Sequence, residues 1–105
     1  MSINERIENL LQSAPVLLFM KGSPDFPQCG FSGQAVQILN ACGTAFVHFN
    51  IFEDEEIREG LKSYSNWPTF PQLYIKGELI GGSDIMLDLY KKEELAQLLT
   101  AAAEA

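Results

Sequence analysis

Thiol and imidazole groups are scarce in this chain: its 105 residues include two cysteines, Cys29 and Cys42, and one histidine, His48. Three such residues cannot complete a four-ligand zinc site of Cys and His. Two cysteines allow at most one disulfide, so no disulfide framework holds the fold together. Positive charge is short as well. Lys and Arg number 7 against 14 Asp and Glu, a formal net charge of −7, which argues against non-specific nucleic-acid binding and against anionic membranes. Long apolar runs are missing too. The run Val16 to Met20 is far too short for a signal core or a spanning helix, and Met1-Ser2-Ile3-Asn4-Glu5-Arg6 lacks a basic n-region. The expectation is a reducing, cytoplasmic setting, and the mature form of an organelle-matrix protein is also compatible. What is present is 47% hydrophobic residues, too many for disorder. The length fits one compact domain over residues 1–105.

Ser2-Ile3-Asn4-Glu5 has the form of a capping box, after which Ile3, Ile7, Leu10, Leu11 and Ala14 recur at helical spacing. Val16-Leu17-Leu18-Phe19-Met20 reads as a strand buried on both faces. Gly22, Pro24 and Pro27 make Lys21 to Gln28 a loop. Beyond Cys29, the stripe Phe31, Ala35, Val36, Ile38 and Leu39 predicts a helix that Gly43 ends. Ala45 to Ile51 reads as a second buried strand. The acidic run Glu53-Asp54-Glu55-Glu56 suits a helix start, where carboxylates complement the dipole, and Ile57 and Leu61 continue that helix. Leu73-Tyr74-Ile75, a Lys76-Gly77 turn and Leu79-Ile80 predict a short hairpin. Gly81-Gly82-Ser83-Asp84 then opens a final helical region carrying Ile85, Leu89, Leu95, Leu98 and Leu99. The order α-β-α-β-α-β-β-α implies an α/β domain with a central four-stranded mixed sheet and helices on both faces.

Cys29 stands where a loop meets a helix, in Cys29-Gly30-Phe31-Ser32. A thiol there faces unpaired helix amides and the positive end of the dipole, which favour the thiolate. Lys21 adds positive charge if the loop folds back. A Cys-x-x-Cys dithiol would close a disulfide within one helical turn, but Ser32 occupies the second position and a hydroxyl cannot resolve a mixed disulfide. The helix between Cys29 and Cys42 separates them by on the order of 20 Å, whereas a disulfide needs less than about 7 Å between Cα atoms. Cys42 therefore reads as a packed helix-end residue. One working thiol leaves a mixed disulfide to be resolved from outside, or directs the thiolate to a metal.

Three segments then carry a resemblance. Lys21-Gly22-Ser23 through Cys29-Gly30-Phe31-Ser32, then Trp67-Pro68-Thr69-Phe70-Pro71, then Gly81-Gly82-Ser83-Asp84 resemble the monothiol glutaredoxins of the Cys-Gly-Phe-Ser type, in order over essentially the whole chain. The resemblance implies a thioredoxin-like (glutaredoxin) fold, glutathione binding, and a role in iron–sulfur cluster transfer and iron homeostasis, commonly with a BolA-like partner. It implies a cis Phe70–Pro71 bond, with the Phe70 backbone aligning the cysteinyl part of glutathione beside Cys29; an ordinary trans strand-entry proline is the plainer alternative. Gly82, Ser83 and Asp84 suit the γ-glutamyl end, since free amides before a helix take a carboxylate and Asp84 takes an ammonium group; Asp84 would equally serve as an N-cap. Lys21 and Arg58 match family cations that hold the glycine carboxylate. Thr69 and Trp67 resemble residues flanking the glutathione groove. His48 reads as structural, and Ser83 stands where some relatives carry a cysteine.

Three functions are thereby set out. A [2Fe–2S] cluster needs four ligands: Cys29 from each of two chains, with two glutathione thiolates, would complete the set in a bridged homodimer that delivers the cluster to iron–sulfur apoproteins. Alternatively, Cys29 serves a glutathione-dependent thiol–disulfide oxidoreductase, an activity the resemblance implies is weak. A third reading is an adaptor that reports iron status through a BolA-like partner.

Overall fold

Ser2 opens the first helix as its spacing predicts. Its hydroxyl accepts from the Glu5 amide while the Glu5 carboxylate accepts from the Ser2 amide, closing both halves of the capping box. The computed structural model describes residues 1–104. Helix α1 (Ile3–Gln12) leads to β1 (Val16–Met20), α2 (Gly30–Ala41) and β2 (Val47–Asn50). A short 3-10 helix, Ile51–Glu53, precedes α3 (Glu55–Ser65), and the hairpin β3 (Gln72–Ile75) and β4 (Glu78–Gly81) leads to α4 (Ser83–Lys91) and α5 (Glu94–Glu104). The strands lie in the order β2-β1-β3-β4, with β1 parallel to β2 and antiparallel to β3. This is the thioredoxin-like mixed sheet expected.

Alternation along β1 builds the two cores. Val16, Leu18 and Met20 point to one face, against Ala35, Val36 and Leu39 of α2, Met86 of α4 and Leu95 and Leu99 of α5. Leu17 and Phe19 point to the other, against Ile7 and Leu11 of α1 and Ile57 and Leu61 of α3. All five residues of β1 are buried, as a strand covered on both faces requires. Lys76 and Gly77 both take positive φ, 51° and 79°, the geometry of a tight hairpin turn. Asp54 caps α3 by accepting from the Ile57 amide, and Glu55 and Glu56 fill its first turn.

Two expectations need correction. The second strand is Val47–Asn50 rather than Ala45 to Ile51, and it is not buried: it forms the sheet edge, and Val47 is 50% exposed. Only β1 pairs with it, and Ile51 turns away into the 3-10 helix. The closing helical region is two helices. Helix α4 ends at Lys91 with Lys92 as its C-cap, Glu93 takes a left-handed φ of 63°, and α5 starts at Glu94. Among the described residues no helix is long and apolar enough to cross a membrane.

Candidate functional site

The loop after β1 is folded on itself by its own backbone. Gln28 donates its amide to the Lys21 carbonyl at 2.8 Å, and Ser23 and Phe26 exchange amide-to-carbonyl bonds at 3.3 and 3.0 Å. Two side chains fasten it to the body. The buried Ser32 hydroxyl accepts from the Lys21 amide at 3.0 Å, and Asn50 Oδ1 accepts from the Gly22 amide at 3.0 Å. Asn50 Oδ1 also accepts from the Phe52 amide, so one carbonyl oxygen links loop and 3-10 helix. Gly22 has φ 94°, and a Cβ there would lie 2.5 Å from the Phe26 carbonyl oxygen. Only glycine fits that turn without strain.

This closure returns the chain to Lys21 just before Cys29, which is the N-cap of α2 with extended backbone (φ −154°, ψ 139°). Its side chain makes no capping hydrogen bond. It sits instead where polarised groups favour its anion. Foremost the Ser32 amide pulls the Cys29 pKa below that of an ordinary thiol; burial, next in size, pushes it up, and the Phe31 amide, the Lys21 ammonium group and the Ser32 hydroxyl add to the lowering, which prevails. Cys42 is the C-cap of α2 and packs against the core, and burial pushes its thiol up. Both cysteines are free. A thiol reacts as its thiolate, so Cys29 should alkylate with a midpoint below that of an ordinary thiol, and Cys42 with one above. Lys21→Gln should move the Cys29 midpoint up. Iodoacetamide rates against pH, resolved by peptide mass spectrometry, check all three.

Cys29 stands in the wall of a cavity of about 310 Å³. Lys21, Cys29 and Phe31 form one side of the cavity, Trp67, Thr69, Phe70 and Pro71 a second, and Gly82, Ser83, Asp84 and Ile85 a third. The Phe70–Pro71 peptide is cis. At the third side α4 begins, with Gly82 as its N-cap and no side chain bonded to the first-turn amides. Asp84 therefore lies inside the helix's first turn and is not the N-cap, a correction to one of its two expected roles. A Cβ on Gly82 would come 3.3 Å from the Pro71 carbonyl oxygen, so the bare backbone lets α4 approach the loop closely.

Eight of the nine residues singled out in the sequence therefore share one cavity: Lys21, Cys29, Thr69, Phe70, Pro71, Gly82, Ser83 and Asp84. Arg58 is not in its lining. Its guanidinium carbon lies 5.5 Å from the centroid of the Phe52 ring, and its Nε is buried without a hydrogen-bond partner. Trp67, noted as a flanking residue, lines the cavity. Phe31 and Ile85, read from the sequence only as members of helical apolar stripes, also line it. They are 60% and 37% exposed, and the only available signal was a large apolar residue in the first turn of a helix otherwise opened by small or polar ones. His48 is exposed on the edge strand.

The donor set fits a small peptide carrying carboxylates and an ammonium group. First-turn amides of α4 suit one carboxylate, Asp84 an ammonium group, and Lys21 a second carboxylate. The thiol of such a ligand would lie near Cys29. No group of three or more His, Cys, Asp or Glu that could hold a metal ion occurs among the described residues.

The sequence profile of the family described as glutaredoxin matches residues 16–80. Monothiol glutaredoxin-S11 of Oryza sativa subsp. japonica is 58% identical over 99 residues, which are 94% of this chain and 20% of that protein. Glutaredoxin 4 of Escherichia coli K12 is 50% identical over 99 residues, 94% of this chain and 86% of that protein. The chain thus spans nearly all of the bacterial relative but only a fifth of the rice one. Among solved structures, reduced apo GrxS14 of poplar superposes with a TM-score of 0.84 at 48% identity, covering 99% of this chain and 95% of that one. The holo form of glutaredoxin C1 from Populus tremula x tremuloides gives 0.88 at 26% identity, covering 98% and 91%.

Proposed function

This chain belongs to the glutaredoxin family, among its monothiol members, and on that premise we propose that it binds glutathione in the Cys29 cavity and carries a [2Fe–2S] cluster between two copies of itself. Residues 1–105 act in this reading as one domain working in a reducing compartment such as the cytoplasm. The observation that carries the proposal is a single anion-favouring thiol in the wall of a cavity whose other polar groups match the two ends of glutathione. Lys21 receives the glycine carboxylate, the first-turn amides of α4 and Asp84 receive the γ-glutamyl group, and the Phe70 backbone aligns the cysteinyl unit. Arg58, which lies against Phe52 outside the cavity lining, is assigned to the glycine carboxylate with Lys21.

One chain supplies one thiolate, so the four cluster ligands are Cys29 from each of two chains and one glutathione thiolate beside each. Half of that set is held non-covalently, which makes the cargo exchangeable with iron–sulfur apoproteins or with a BolA-like partner that replaces one copy. The chain's own part is to favour the Cys29 thiolate over that of an ordinary thiol and to fix glutathione beside it. Anaerobic reconstitution with iron and sulfide tests the reading, followed by visible absorbance and native mass spectrometry. The expected product is a cluster-bridged homodimer with two glutathiones. A cluster that assembles equally well without any low-molecular-weight thiol overturns the proposal.

The stabilised thiolate favours one second reading, reduction of glutathionylated proteins. Cys29 would attack the glutathione sulfur and release the protein thiolate, and a second glutathione would then free Cys29 as glutathione disulfide forms. Vigorous turnover by the apo protein, with no cluster retained, would favour it.

A further inference from the structure

Gln72 is buried to 0% exposure at the start of β3, followed by the buried Leu73, Tyr74 and Ile75. An amide in such surroundings costs free energy unless its polar atoms are bonded, and all of its hydrogens are. Nε2 donates to the Trp67 carbonyl at 3.0 Å and to the Thr69 carbonyl at 3.2 Å, while Oε1 accepts from the Tyr74 hydroxyl at 3.0 Å. The orientation of the amide is unambiguous, because the reverse one would set its oxygen against two carbonyl oxygens. Both bonded carbonyls belong to residues that line the second side of the Cys29 cavity. The Trp67 amide is tied to the Lys62 carbonyl of α3 at 3.2 Å, but beyond it Pro68 and Pro71 have no amide hydrogen with which to fix the segment. Tyr74, 2% exposed, braces the amide from two residues along β3.

We propose that Gln72, braced by Tyr74, is the positioning residue of the ligand groove: its side chain sets the peptide planes of residues 67–69 and thereby the placement of Trp67 and Thr69 against bound glutathione. Gln72 itself does not line the cavity and touches no ligand. The inference rests on the glutathione reading for its affinity consequence, but its structural consequence can be read without ligand. Trp67 is the only tryptophan of the chain, so its fluorescence reports on that segment alone.

The test is Gln72→Met, which keeps the length and removes both donors. Emission of Trp67 in the ligand-free protein should shift, and the glutathione dissociation constant, measured by calorimetry well below the melting temperature, should rise about tenfold. The Cys29 alkylation rate should stay within about twofold of wild type, since Cys29 lies across the cavity. A merely structural role would lower the melting temperature and leave emission and affinity unchanged in the folded protein, and that result overturns the proposal. If the wild type does not bind glutathione at all, the ligand reading fails, while the ligand-free emission still decides whether Gln72 positions the segment. Should the variant not fold, side-chain amide exchange by nuclear magnetic resonance on the wild type decides. The Gln72 amide hydrogens should exchange far more slowly than those of the exposed Gln12 and Gln37, and equal rates would sink the idea.

Discussion

Cys29→Ser should abolish cluster assembly while leaving the fold intact or slightly more stable. The two effects have opposite signs because Cys29 has two jobs. In the proposed role of cluster ligand it works through a thiolate, which a serine hydroxyl cannot supply near neutral pH. As the N-cap of α2 it forms no capping hydrogen bond, whereas serine is among the preferred residues there and should stabilise the protein by up to about 1 kcal/mol. The expected observation is colourless protein after anaerobic reconstitution, no bridged dimer by native mass spectrometry, and an unchanged or raised melting temperature. A variant that took up cluster as the wild type does would refute the assignment of Cys29 as ligand. A variant that lost cluster together with its fold would leave the N-cap argument wrong.

Gly22→Ala should be the most damaging small substitution in the site. The added carbon would stand 2.5 Å from the Phe26 carbonyl oxygen and 2.8 Å from the Gln28 amide nitrogen, at a φ of 94° that side chains avoid. Both obstacles are backbone of the same loop, so neither yields by a rotamer change. Conformational strain and overlap together should cost about 3 kcal/mol. The chemical effect follows from the same displacement. If the loop opens, the Gln28-to-Lys21 bond is lost, Lys21 leaves the thiol, and the alkylation midpoint of Cys29 climbs. Gly30→Ala is the matched control, for nothing lies within 4 Å of its added carbon. Denaturant melts of both variants, with alkylation profiles, check this. Equal stability of the two would show that the loop is not closed as described.

Local chemistry made much of this readable in advance. A capping box, an apolar pentad and a Lys76-Gly77 turn each specify their own geometry within a few residues, and each formed as its chemistry requires. What sequence could not express is what depends on distant neighbours. Phe46, Val47 and Phe49 have the composition of an interior strand, yet Val47 is half exposed because strand order leaves β2 with one partner. The break between α4 and α5 falls in Lys91-Lys92-Glu93-Glu94, a run with good helix propensity and no glycine or proline to announce a stop. The same holds for the site. Cys29 and the Gly82-Ser83-Asp84 turn are visible because unusual residues cluster there. Ile85 joins the cavity only through the direction in which α4 enters, and the role of Gln72 depends on a bond to carbonyls three and five residues away.

The loop between Lys21 and Cys29 has one more consequence. Its amides at Lys21, Gly22 and Gln28 are already bonded, to the Ser32 hydroxyl, Asn50 Oδ1 and the Lys21 carbonyl. The ordering entropy of this segment is therefore lost when the chain folds and not when a ligand arrives. Association then needs no prior rearrangement of the loop, and the full strength of each new contact goes into affinity. A surface carrying a net charge of −7 can in this way keep a preorganised landing place for an anion, with the cation at Lys21 held at one fixed point of attachment.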